Sequence, residues 1–285
     1  LHRCLHSFPT RRSSDLEDNG LCPWSWITFY PSITKGRIGP KTHEKIFELM
    51  LRLRANVFWP AMHACSVPFY LVPGNQEMAD KFGIIIGTSH CEPMLRNTNG
   101  EWEKAGIGEY NYVTNRKNVY HFWEERVKET AQSNGFYTLG MRGIHDTGME
   151  GVKSMEQQRN TLQQVINDQR KLIDIYVKKE APQVFIPYKE VLPVYHAGLE
   201  IPDDVTLMWC DDNYGYIRHL PDETERARQG GNGVYYHFSY WGRPQTHVWL
   251  PSTCPALTQT ELERAYLHGI QKLWVFNVGD IKPNE

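Results

Sequence analysis

Six cysteines stand singly along the 285 residues, at Cys4, Cys22, Cys65, Cys91, Cys210 and Cys254, with no C-x-x-C pair and no zinc-type spacing. A disulfide framework and a structural zinc site are therefore not expected. Charge of one sign is lacking too: Lys+Arg 31 against Asp+Glu 33 leaves a formal −2, with no basic stripe or acidic tail. Without such a field there is nothing to steer the chain to nucleic acid or to an anionic membrane surface. No apolar run approaches the roughly 20 residues that span a bilayer. A glycine-rich phosphate turn after a strand is also missing, because Gly230-Gly231-Asn232-Gly233 comes before an apolar run. No H-x-H follows any run, no G-x-S-x-G elbow surrounds a serine, and Asp211-Asp212-Asn213-Tyr214-Gly215 lacks the register of a calcium loop. These absences argue against covalent serine or cysteine catalysis and against a bound metal, and no cofactor is expected.

What the chain does have is a repeated one-sided pattern. Asn56 to Trp59 leads to Met62 and His63, and Ile84-Ile85-Ile86 to His90 and Glu92. Tyr137-Thr138-Leu139 leads to Arg142, His145 and Asp146, and Val184-Phe185-Ile186 to Lys189 and Glu190. Val205 to Trp209 precedes Asp211, Asp212 and Asn213. Val234-Tyr235-Tyr236 precedes His237, Tyr240 and Arg243, and Leu273 to Phe276 precedes Asn277, Asp280 and Lys282. Reactive side chains gathered after each run and not before it are what a parallel sheet places around an active site at its strand carboxyl ends.

Helical periodicity separates the runs, over Thr42 to Arg54, Arg116 to Gln132, Gln157 to Lys179 and Glu261 to His268. Alternating strands and helices predict an α/β chain with a parallel sheet. Strands starting near 55, 83, 136, 183, 205, 233 and 272 leave one missing from a (β/α)8 barrel of about 250 residues. The rival, an open doubly wound sheet, would need the phosphate turn that is lacking. Phe8-Pro9-Thr10-Arg11-Arg12-Ser13-Ser14-Asp15-Leu16 reads as a translated sequencing adapter, so residues 1–16 are expected to be a non-native extension and 17–285 a partial barrel. On that expectation strand one is largely lost, the last helix is truncated, and the unpaired edges make the chain prone to fold poorly or aggregate. With residues 1–16 set aside there is no leader to read, so localisation stays open.

Two loops carry the densest chemistry. Met141 to Gly148 packs Arg142, His145 and Asp146 between glycines, which suits a guanidinium fork beside a carboxylate base; a plain Arg142–Asp146 ion pair pinning the loop is the alternative. In Ile186 to Val191, Glu190 just past a strand is a candidate general acid, the alternative being a structural pair with Lys189. Ser89-His90-Cys91-Glu92-Pro93 offers a second carboxylate or, with His145, metal ligands. For Asp212 and Asn213, hydrogen bonding to a sugar or loop capping are both open. The aromatics, 12% of the chain with nine Trp and fifteen Tyr, serve as core or as platforms for sugar rings.

From about Gly20 to Glu285 the chain resembles the catalytic barrel of glycoside hydrolase family 115, the xylan α-1,2-glucuronidases. The likeness rests on Trp59-Pro60-Ala61-Met62-His63, Ser89 to Met94, Met141 to Asp146, Phe185 to Val191, Trp209 to Gly215, Tyr235 to Gly242 and Asn277-Val278-Gly279-Asp280. The resemblance implies removal of glucuronic or 4-O-methylglucuronic acid from glucuronoxylan or xylo-oligosaccharides with inversion, Glu190 as the acid and Asp146, before Glu92, as the base. It implies sugar contacts at Arg142, His90, His145, Lys189, Asp212, Asn213, Tyr235, His237, Tyr240 and Asn277, with Arg142 or Lys189 meeting the uronate carboxylate. It also implies that Glu17 and Asp18 belong to the strand-one motif, further domains outside this stretch, and a bacterial periplasmic or secreted parent, possibly a homodimer. A non-catalytic sugar-binding barrel and a metal-dependent hydrolase remain the alternatives.

Overall fold

The computed structural model describes residues 2–8 as backbone, and 38–60, 67–144, 146–177, 181–238, 240 and 253–277 in full. Eight strands succeed one another in chain order: β1 (His2–Phe8), β2 (Val57–Pro60), β3 (Ile85–Gly87), β4 (Gly135–Leu139), β5 (Gln183–Phe185), β6 (Thr206–Cys210), β7 (Asn232–His237) and β8 (Ile270–Asn277). Each pairs in parallel with the next, and β8 returns to β1, so the sheet is a closed barrel. The seven strands expected from the apolar runs all form within about three residues of where each was placed.

The eighth strand departs from the expectation of an open barrel. His2–Phe8, set aside as foreign, fills the gap: Cys4 aligns with Val57 on one side and Val275 on the other, and Leu5 with Phe58 and Phe276. The physical reason lies in the backbone. A barrel short of one strand presents two facing rows of unpaired N–H and C=O groups, and an extended segment satisfies both rows whatever its origin.

Between the strands run α1 (Pro40–Arg52), α2 (Asn75–Phe82), α3 (Thr98–Ala105), α4 (Arg116–Thr130), α5 (Met155–Tyr176), α6 (Val191–His196), α7 (Glu223–Arg226) and α8 (Pro255–Leu267). None of the described helices is long and apolar enough to cross a membrane. Strand alternation divides the core. Val57, Trp59, Phe136, Val184, Ile186, Met208, Tyr235, Leu273 and Val275 fill the barrel interior. Their sequence neighbours, among them Phe58, Tyr137, Phe185, Leu207, Trp209, Val234 and Tyr236, face outward against the helices. Helix α5 begins at Ser154, whose hydroxyl accepts the Gln157 N–H at 3.1 Å, and it buries Leu162, Val165, Ile166, Leu172 and Ile173. From the same face Gln169 exchanges two 2.8 Å hydrogen bonds with the backbone of Gly140. Gly140 has φ +106, a conformation that a side chain disfavours, so the chain leaving β4 is fixed where the loop carrying Arg142 begins.

Candidate active site

At the carboxyl end of β4, Arg142 is almost fully enclosed, with its side chain 3% exposed. Its Nε and Nη2 donate to the two oxygens of Glu190, beyond β5, at 2.7 and 2.8 Å, a bidentate pair. Its Nη1 donates to Oδ1 of Asp146. Lys189 Nζ donates to Oδ2 of Asp146 at 2.5 Å, and His90 Nε2, from the loop after β3, lies 3.1 Å from Oδ1. Of the two local ion pairs weighed from sequence, Arg142–Asp146 forms. Lys189 turns to Asp146, and Glu190 takes the guanidinium, so the pairs cross between the two loops.

Local backbone makes this arrangement possible. Gly143 donates its N–H to the Thr147 carbonyl at 3.0 Å, and a Cβ on Gly143 would stand 2.2 Å from the Thr147 hydroxyl and 2.4 Å from the Gly148 carbonyl. That tight loop turns Asp146 back over Arg142. Lys189 has φ +50, the left-handed region, which reverses the chain just before α6 and projects Lys189 and Glu190 to the same mouth.

Electrostatics follow from the enclosure. Burial alone would raise the Asp146 carboxyl, but His90, Lys189 and Arg142 outweigh it and hold the group well below the usual carboxylate range. Burial likewise pulls against the Arg142 charge, and Glu190 and Asp146 outweigh it and raise its pKa. His90 is lowered by burial against the opposing pull of Asp146, which favours the neutral imidazole. Glu92 stands elsewhere. It is 3% exposed and lines a small void with Pro60, Phe69, Tyr70, Leu95 and Glu101; Ser89 donates to it at 3.2 Å. Burial, with the nearby Glu101, raises its carboxyl well above the usual range.

The aromatic wall joins the later strands. Tyr188 donates to Asn213 Oδ1 at 2.9 Å and lies 4.4 Å from His90, ring to ring. The Asn277 amide donates to the Tyr235 hydroxyl at 2.9 Å, and Tyr235 stacks on Trp59. His237 meets Tyr240 edge to face at 5.1 Å. The structure thus brings Glu190, Asp146, Arg142, Lys189 and His90 into one hydrogen-bonded cluster and sets Asn213, Tyr235, His237, Tyr240 and Asn277 at the same barrel end. Asp212 accepts the Tyr214 and Tyr216 N–H groups at 3.0 and 3.1 Å and Arg218 Nε at 2.8 Å, the geometry of loop capping. His145, Glu17 and Asp18, like Met62, His63, Arg243, Asp280 and Lys282, lie outside the described residues.

Two residues to which the sequence assigned no role in the site take part. Asp211, wholly buried, accepts from His237 Nδ1 at 2.5 Å and from the His237 N–H at 3.3 Å, which fixes the ring that abuts Tyr235 and Tyr240. Tyr188 is the other. Position was the available signal: each is the strand-end residue whose side chain turns into the barrel mouth. Among the described residues, His90, Cys91 and Asp146 offer ligand atoms within 4.8 Å of one another. Two cationic side chains already share the Asp146 carboxylate, so the cluster's charge fits a bound cation poorly.

A family model described as Glycosyl hydrolase family 115 matches residues 14–285. The chain belongs to that family. A solved family 115 4-O-methyl-α-glucuronidase, described as specific for decorated arabinogalactans, is 58% identical and superposes with a TM-score of 0.91, covering 99% of this chain and 37% of that one. This family 115 chain therefore spans little more than a third of that relative's length. Weaker likenesses are to a 3-keto-D-glucoside 4-epimerase from E. coli, 11% identical over 86% of this chain and 90% of that one with TM-score 0.46, and to a family 2 AP endonuclease from Brucella melitensis, 9% identical over 98% and 92% with TM-score 0.45. No curated protein matches it.

Proposed function

We propose that this chain is the barrel of an inverting α-glucuronidase that cleaves α-1,2-linked glucuronic or 4-O-methylglucuronic acid side chains from glucuronoxylan. The observation that carries the reading is the pair of carboxylates, Glu190 and Asp146, set on different edges of the single Arg142 guanidinium at the strand carboxyl ends. Inverting hydrolysis needs two carboxyls spaced roughly 6.5–9.5 Å apart so that a water fits beside the sugar. Glu190 gives its proton to the glycosidic oxygen as the C1–O bond breaks. Asp146 takes a proton from the water whose oxygen bonds to C1 from the opposite face. Asp146, held below the usual carboxylate range, presents the ionised form that accepts a proton. Arg142 and Lys189 supply positive charge for the uronate, and Asn213, Tyr235, Tyr240 and Asn277 supply sugar contacts. Glu92, enclosed apart from the cluster, is the weaker candidate for base.

The relative's specificity favours a second substrate, glucuronic acid on decorated arabinogalactan, by the same chemistry. The test measures 4-O-methylglucuronic acid released from glucuronoxylan and from arabinogalactan by this chain and by Glu190→Gln. Release from either polymer that Glu190→Gln removes supports the hydrolase. Binding of both polymers with no release by a folded chain favours a sugar-binding barrel instead.

A further inference from the structure

The Arg142–Glu190 pair poses a problem for the acid just assigned. Both oxygens of Glu190 accept hydrogen bonds from one guanidinium, at 2.7 and 2.8 Å, so neither carries a proton toward a leaving group. A general acid must hold its proton within hydrogen-bond reach of the oxygen it serves. Arg142 is equally committed, since the edge formed by its Nε and Nη2 accommodates one carboxylate bidentately at a time.

We infer that this pair is a latch opened by the substrate's own carboxylate, which replaces Glu190 on the guanidinium and so releases Glu190 to act as the acid. The inference rests on the uronate-hydrolase reading and deepens it. Three observations support the exchange. The first is the difference in enclosure: the Arg142 side chain is 3% exposed and that of Glu190 36%, so the guanidinium stays in place while the carboxylate has room to swing. The second is local backbone. Glu190 stands at the start of the six-residue α6, directly after Lys189 at φ +50, a strained conformation of the kind that gathers at ligand clamps and switch segments.

The third is charge. Arg142 and Lys189 balance Asp146 and Glu190 across the linked pairs, and Lys189 is a point charge already on Asp146, so the fork is the place where an incoming carboxylate gains two parallel hydrogen bonds. Once displaced, Glu190 no longer gives both oxygens to the guanidinium, and a proton taken up from solvent on one of them can be aimed at the leaving oxygen. A neutral sugar offers nothing to exchange and leaves the latch shut. Selection for a uronic acid then acts on turnover as well as on binding.

Competition is the signature to measure, and it needs no catalysis. Sodium glucuronate, with glucose as the neutral control, is titrated calorimetrically into the parent chain, Glu190→Ala, Glu190→Gln and Glu190→Ala/Arg142→Lys, each checked for folding by circular dichroism. Removal of the competitor is expected to tighten glucuronate binding about ten-fold in Glu190→Ala and by a smaller factor in Glu190→Gln, with no gain for glucose. Arg142→Lys is expected to erase that gain. If the parent prefers glucuronate to glucose and neither Glu190 variant binds it more tightly, the latch is overturned while the hydrolase reading stands. Should no form distinguish glucuronate from glucose, both fall.

Discussion

A single guanidinium joins Glu190 and Asp146 at the carboxyl end of this barrel, and the residues around it are expected to respond differently to pH. Asp146 is held below its ordinary range, so the stability it contributes is present above the unfolded pKa of about 3.9 and is lost as pH falls through the native value. Asp146→Asn should therefore lower the thermal midpoint at pH 7 and converge on the parent in strong acid. Glu92 is raised by burial, which reverses the sign: its favourable contribution is complete below about pH 4.3 and is lost as pH rises toward the native value. Glu92→Gln keeps the shape without the titration, so its midpoint should gain on the parent's as pH rises from 4 to 8; a constant offset between the two melts would contradict the raised carboxyl. For turnover, Glu190→Gln is expected to cost on the order of 10²–10⁴-fold in the rate of uronic acid release. At this scale the sequence was informative about residue type and position, and about the Arg142–Asp146 pair within one loop, but silent about pairing between loops. Arg142, Asp146, Lys189 and Glu190 were visible as strand-end chemistry, yet that Glu190 pairs with Arg142 and Lys189 with Asp146 depends on how two loops 48 residues apart in sequence approach each other.

Among the elements, the long periodic helices α1, α4 and α5 and the apolar strands were legible because burial of one face imposes a repeat. Helices α2, α3, α6 and α7 were not anticipated. They run from four to eight residues, too short for a periodicity to emerge, and end caps and tertiary contacts hold them instead. Asp222 closes a capping box with Glu225 on α7, and Asn97 accepts the Gly100 N–H at 2.8 Å at the head of α3. Helices α3 and α4 are joined by a buried carboxylate between two arginines: Glu101 Oε2 accepts from Arg96 at 2.6 Å and from Arg126 at 2.8 Å. Glu101→Ala would leave the two enclosed guanidinia with only the exposed carboxylates of Glu125 and Glu129 as partners, and a loss of about 3 kcal/mol in unfolding free energy is expected by denaturant titration. A change below about 1 kcal/mol would show that solvent or Glu125 replaces it.

For the whole molecule, barrel closure hangs on β1. Cutting residues 1–8 from the chain would expose the facing edges of β2 and β8, so a lower unfolding midpoint and concentration-dependent association are expected, read by calorimetry and light scattering. An unchanged midpoint and a monomer would mean that β1 adds nothing to the closed sheet.

The sequence by itself determined the alternation of strands and helices, the parallel sheet and the barrel end at which chemistry collects, because hydrophobic period and strand polarity are local and survive without knowledge of neighbours. It determined the family too, through motifs dispersed along the chain. Only the tertiary structure decided that Asp212 caps a loop while its neighbour Asp211 holds His237, that Glu92 is enclosed apart from the cluster, and that one arginine grips both carboxylates. Those outcomes are set by distances between segments far apart in the chain, and hydrogen bonding and desolvation depend on such distances and not on residue order.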